Sequence, residues 1–97
     1  MFTSKERSNL RAMAQNIKPV TQVGKGGISD ALVQSLSQAL EARELIKISV
    51  LNNVDDDARE IAENLADALK AEVVAVIGKK IILYRKSSRK DIDHIVF

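Results

Sequence analysis

Leu10, Met13, Ala14 and Ile17 form one apolar stripe at helical spacing, and Thr3 and Glu6 precede it at the spacing of a capping box. This predicts a first helix over residues 4–17, which ends where Pro19 pushes Lys18 into extended geometry. Residues 20–23 read as a short strand. Ser29 is placed to cap a second helix whose inward face is Leu32, Val33, Leu36, Ala39 and Leu40. In residues 45–51 the period drops to two, with Ile46, Ile48 and Val50 alternating with Lys47 and Ser49, so a strand with one face on the core is expected. Asn52, Asn53 and Asp55-Asp56-Asp57 read as a loop and a helix start, since carboxylates favour the positive end of the helix dipole. The third helix turns Ala58, Ile61, Ala62, Leu65, Ala68 and Leu69 inward and Glu60, Glu63 and Asp67 outward.

Residues 73–77 and 80–85 read as two apolar strands joined by Gly78-Lys79, where glycine in the first place suits a type II′ hairpin. The predicted order is αβαβαββ. Strands joined through helices imply parallel pairing and the hairpin is antiparallel, so the expected fold is α/β with a four-stranded mixed sheet that helices cover at least in part. Beyond Lys86 the chain turns polar and ends in Ile92, Ile95, Val96 and Phe97. The expected division is a domain over residues 1–86 and a tail over 87–97, docked in part by its apolar end.

Ninety-seven residues with 45% apolar content are enough for one small domain with one core. There is no cysteine, hence no disulfide framework and no thiolate zinc site, which fits a reducing compartment. The apolar runs are far shorter than the ~20 residues of a membrane span. Lys5, Glu6, Arg7 and Arg11 interrupt the N-terminus where a signal peptide would be apolar, so a cytoplasmic location without membrane contact is expected. A net charge of +2 conceals an uneven distribution: residues 1–29 carry +4, residues 30–78 carry −6 and residues 79–97 carry +4. If folding brings the basic ends together, one positive face and one negative face result, the electrostatic shape of a polyanion binder; the alternative is that the cations solvate the surface.

Catalytic groups are scarce. The single histidine, His94, sits in the expected tail beside Asp91 and Asp93 and reads as a solvated residue. Asp55, Asp56 and Asp57 lack the stepped oxygen ligands and the glycine of a calcium loop, and no serine lies in a nucleophile elbow. No enzyme activity, cofactor or metal is expected. Gly24-Lys25-Gly26-Gly27 is the one motif that asks for a functional account. Between a strand and a helix, such a loop can turn backbone N–H groups toward an anion, and Lys25 adds a mobile charge. It is neither a Walker A loop nor a dinucleotide fingerprint, and Asp30 would repel a phosphate held at the helix end itself. On its own it reads more readily as a structural turn than as a binding loop.

Nucleic acid is the anion that joins the loop to the basic ends. Helix 1 offers Lys5, Arg7, Arg11 and Lys18, and the hairpin and its exit offer Lys79, Lys80, Arg85 and Lys86. Such contacts supply affinity and salt dependence with little sequence reading. With Phe2, Tyr84 and Phe97 the only aromatics, no base-stacking platform is available, and Tyr84 reads as a half-buried strand residue. Backbone and shape recognition of structured RNA is what remains. A separate reading gives the acidic face of helix 3 (Glu60, Glu63, Asp67) to a basic protein partner.

Val23-Gly24-Lys25-Gly26-Gly27-Ile28-Ser29, Glu44-Leu45-Ile46-Lys47-Ile48 and Ile77-Gly78-Lys79 with Leu83-Tyr84-Arg85 follow one another in order. With Leu10-Arg11-Ala12-Met13-Ala14 and Lys18-Pro19-Val20 ahead of them, they resemble the YhbY family, the bacterial single-domain form of the CRM (chloroplast RNA splicing and ribosome maturation) domain. The resemblance runs over about residues 4–86. It implies a fold similar to the C-terminal domain of translation initiation factor three, and RNA binding through the GxxG loop, Gly24 to Gly27, with the basic surface beside it. It further implies association with precursors of the large ribosomal subunit, since plant relatives with several such domains serve intron splicing and this chain has one. It implies no role for residues 87–97.

Overall fold

The computed structural model describes residues 2–52 and 57–97. Asn53, Asp55 and Asp56, read above as loop and helix start, lie outside them. Among the described residues the elements are α1 (Ser4–Ala14), β1 (Thr21–Val23), α2 (Asp30–Arg43), β2 (Leu45–Val50), α3 (Ala58–Leu69), β3 (Glu72–Ile77) and β4 (Lys80–Tyr84), in the predicted αβαβαββ order. The caps explain the helix starts. Thr3 Oγ1 accepts from the Glu6 N–H while Glu6 Oε1 accepts from the Thr3 N–H, and Ser29 Oγ and Asp57 Oδ1 accept from Leu32 and Arg59.

Helix α1 stops three residues short of the expected end. Gln15 and Ile17 donate to Ala12 and Ala14, so the last turn tightens to i→i−3 bonds before the chain turns toward β1. Leu10 and Ala14 are fully buried, but Met13 is exposed. In α3 the buried stripe includes Ala66 rather than Ala68, because Ala66 continues Ala58 and Ala62 at four-residue spacing.

The sheet order is β1-β2-β4-β3. β1 runs parallel to β2, and β4 lies antiparallel to both β2 and β3, with a bulge at Val73–Ala75 that turns Val74 and Ala75 to the same face. α2 and α3 pack on one face over Ile46, Ile48, Val50, Ile81 and Leu83. α1 and the end of the chain pack on the other, over Leu45, Val74, Ile82 and Tyr84. β2 therefore differs from the one-faced strand that its alternation predicts: Leu45 and Ser49 are buried and Lys47 is half-buried. A period of two identifies which residues share a face, and the helix that reaches the second face is remote in the chain.

Residues 85–97 fold back onto this body. Glu44 caps α2 with φ 68° and is fully buried. Its carboxylate accepts from the Ser87 and Ile95 N–H groups at 2.7 Å and lies 2.6 Å from His94 Nδ1. His94 is therefore a partner of a buried carboxylate, which corrects its reading as a solvated residue; an ionised carboxylate only accepts, so Nδ1 carries the hydrogen. Ser87 also donates to the Glu41 carbonyl, and Ser88 Oγ donates to the Glu41 carboxylate. Ile95 and Phe97 join the α1-side core, and the three aromatic rings of the chain, Phe2, Tyr84 and Phe97, meet edge to face at 5.0–5.5 Å. Burial and the Glu44 charge push the Tyr84 hydroxyl above its ordinary pKa.

Candidate nucleic-acid interface

Two turns leave the same end of the sheet. At the end of β2, the Leu51 N–H donates to the Val23 carbonyl and the Val50 N–H donates to the Lys79 carbonyl. The glycine loop after β1 and the hairpin between β3 and β4 are thus tied to consecutive residues of the strand between them. The loop is a β-turn closed by Gly27 N–H to the Gly24 carbonyl at 2.9 Å. That bond removes the Gly27 N–H from the groups available to an anion. Gly27 has φ +69°, which an L side chain rarely adopts, whereas Gly26 lies in open space with nothing within 4 Å of where a Cβ would stand. Folding demands glycine at position 27; at position 26 the bare backbone leaves room for another molecule. Lys25, just before them, is exposed.

In the hairpin, Gly78 has φ +58° and Lys79 keeps a negative φ, as a type II′ turn requires. Lys79 is exposed, and Lys80 Nζ donates to Ser49 Oγ at 2.6 Å. Arg11, exposed on the last turns of α1, borders the same region as Lys80 together with Lys47 of β2. Lys47 is not among the cations that the sequence singles out. Its signal was its place in an apolar alternation, where it read as a strand residue facing water.

The other predicted cations lie elsewhere. Lys5 is at the start of α1, by the Phe2–Tyr84 contact, at the opposite end of the sheet from Lys80. Lys18 is exposed just before β1, where the Val20 N–H donates to the Lys47 carbonyl. Arg7 turns inward: its guanidinium donates to the Val73 and Val74 carbonyls at 2.6 and 2.9 Å and lies 5.6 Å from the Phe2 ring centroid. It caps the edge strand β3 at its bulge, a device that hinders pairing with another chain. Arg85 is likewise held inside the fold. It donates to the Leu69 carbonyl, to the Ser37 carbonyl and hydroxyl, and to Glu41, all within 3.1 Å. The expected basic ends are therefore not one continuous surface: folding collects Lys25, Lys79, Lys80, Arg11 and Lys47 near one end and assigns Arg7 and Arg85 to structure.

Charge of the opposite sign borders the glycine turn on its α2–α3 side. Gly27 and Ile28 share a cavity of about 100 Å³ with Glu60 and Asn64, and Asp30 begins α2 immediately after the turn. Glu60, Glu63 and Asp67 are all exposed on α3. A polyanion touching the turn is repelled on that side and attracted on the side of Lys79 and Lys80. No helix among the described residues is long and apolar enough to cross a membrane.

Residues 2–85 match the CRS1 / YhbY (CRM) domain. The chain is 44% identical over 87 residues to a Bacillus subtilis protein named "Probable RNA-binding protein YqeI", a match spanning 90% of this chain and 91% of that one. It is 28% identical over 84 residues to the chloroplastic CRS2-associated factor 1 of Arabidopsis thaliana, of which it spans 12%. The solution structure of SAV1595 from Staphylococcus aureus superposes with a TM-score of 0.78 at 45% identity, covering 94% of this chain and 95% of that one.

Proposed function

The chain belongs to the CRS1 / YhbY (CRM) domain family, and from that membership we propose that it is an RNA-binding protein of ribosome assembly, acting in the cytoplasm on structured RNA of large-subunit precursors. The observation that carries the reading is the convergence of the open Gly24–Gly27 turn and the Lys79–Lys80 hairpin on the end of β2. A bare backbone at Gly26 lets a phosphate chain come close while Lys25, Lys79 and Lys80 supply the charge. The Bacillus subtilis relative, similar over nearly its whole length, bears an RNA-binding name, which supports a role as an RNA binder rather than an enzyme.

Gly26→Asp tests the turn. With open space at the position and a negative φ, the variant is expected to keep wild-type stability and to lose about tenfold in affinity for a ribosomal RNA fragment, by bulk and like-charge repulsion. Unchanged affinity would remove the turn from the interface. Wild-type affinity is expected to fall steeply with salt, each phosphate contact adding about 0.7–0.9 to the log–log slope, and a flat response would contradict phosphate binding. In cell lysate the protein is expected to sediment with particles at or just short of the large subunit, in a nuclease-sensitive way.

The exposed acidic face of α3 favours a second, compatible reading: Glu60, Glu63 and Asp67 dock a basic ribosomal protein or a GTPase. Charge reversal at these three positions that keeps RNA affinity and abolishes particle association would support it.

A further inference from the structure

Helix α1 ends at Ala14, and the sheet face beyond it is left without a helix. The register sets side chains of three strands next to one another there: Lys47 of β2 pairs with Ile82 of β4, and Lys80 of β4 pairs with both Ser49 of β2 and Ile77 of β3. Between this patch and the last turn of α1 lies a cavity of about 150 Å³. Ala14, Ile77 and Ile82 form its apolar floor, and Arg11, Lys47 and Lys80 stand around it. No carboxylate lines it, and none of the three cations is in a salt bridge among the described residues. Three like charges gathered on one rim repel one another and call for an anion. Lys80 is already held in position by Ser49. The floor asks for something else, since a phosphate gains nothing from Ile77 and Ile82, and Ile77 is 51% exposed.

We propose that this cavity is a nucleotide subsite, which takes one unstacked pyrimidine residue of the bound RNA. The inference rests on the RNA-binding reading and deepens it. The base packs on the exposed Ile77, over the buried Ala14 and Ile82, and its phosphate sits among Arg11, Lys47 and Lys80. Size supports a single ring: a cavity of about 150 Å³ holds benzene, so a pyrimidine fits and a purine protrudes. Location supports RNA as the source, because Lys80 opens the strand that follows the Lys79 turn, on the side of the glycine turn away from Asp30 and Glu60.

The test is methyl NMR of the full chain, following the Ile77 and Ile82 signals during separate titrations with uridine 5′-monophosphate, adenosine 5′-monophosphate and inorganic phosphate. Uridine monophosphate is expected to shift both signals, adenosine monophosphate to shift them less, and phosphate to leave them in place. Lys47→Gln is expected to weaken the uridine monophosphate response. Equal shifts with phosphate alone would make the cavity a plain anion site and overturn the proposal, as would equal responses to the two nucleotides or no response. In parallel, Ile77→Ser, at a half-exposed position, is expected to lower affinity for a ribosomal RNA fragment about tenfold, by loss of the apolar contact with the base. Wild-type affinity in that variant would overturn the subsite while RNA binding stood; no binding by the wild-type protein at low salt would overturn both.

Discussion

Glu44→Ala is expected to destabilise the fold by about 3 kcal/mol and to release residues 87–97 from the sheet. The buried carboxylate is the acceptor for the Ser87 and Ile95 N–H groups and the partner of His94. A buried donor left without a partner costs about 1–3 kcal/mol, and two are orphaned here unless the segment lifts away and exposes Ile95 and Phe97. For a chain of this length such a loss lowers Tm by roughly 15 °C. Urea denaturation reads the first effect and hydrogen exchange across residues 87–97 the second; wild-type values in both would show that Glu44 does not anchor the segment. Glu44→Gly is an internal control. Position 44 has φ 68°, where an L residue pays about 1–2 kcal/mol and glycine does not, so Gly is expected to be less damaging than Ala by about that amount.

The same site predicts acid sensitivity. Burial raises the pKa of Glu44, but hydrogen bonds from His94, Ile95 and Ser87 outweigh it and hold the carboxyl below its ordinary range. Glu41 is lowered too, first by the Ser88 hydroxyl, against burial, and further by the Ser88 N–H and Arg85. A depressed folded-state pKa means that the unfolded chain takes up protons first as pH falls. The stabilisation is complete above the ordinary carboxylate pKa and is lost as pH drops through the folded value. Anchoring of residues 87–97 is therefore expected to weaken in that acid window, and in Glu44→Gln the part of this response that belongs to Glu44 disappears.

Arg85→Met is expected to cost about 3 kcal/mol in stability while the folded protein keeps its RNA affinity to within about twofold. One guanidinium joins the last carbonyl of α3, the Ser37 carbonyl and hydroxyl of α2 and the Glu41 carboxylate. Removing it leaves Glu41 without its cation and frees the end of α3 from α2. The methionine stem keeps the apolar contact of the arginine, so the loss reports the polar bonds. Denaturant unfolding paired with RNA titration at a temperature where the variant is folded separates the two roles. Wild-type stability with a tenfold loss of affinity would return Arg85 to the RNA interface.

Element type and order were legible in the chain because each is a local property. The caps at Thr3 and Ser29, the stripes of α2 and α3 and the glycine at position 78 act over a few residues, and the observed elements follow them. The glycine turn was visible for the same reason, including its place between a strand and a helix. What the sequence could not reveal was the destination of each charge, because hydrogen-bond partners are chosen across the fold. Arg7 and Val73 are 66 residues apart, Arg85 and Ser37 are 48 apart, and His94 and Glu44 are 50 apart. A count of cations placed Arg7 and Arg85 at the interface with Lys25, whereas packing drew them onto backbone carbonyls. α1 also ends early, which leaves Lys80 and Ile77 exposed and Lys47 half-buried on the sheet. Local periodicity determined which faces are apolar; only the packed chain decided which of them are covered and which charges remain to meet a partner.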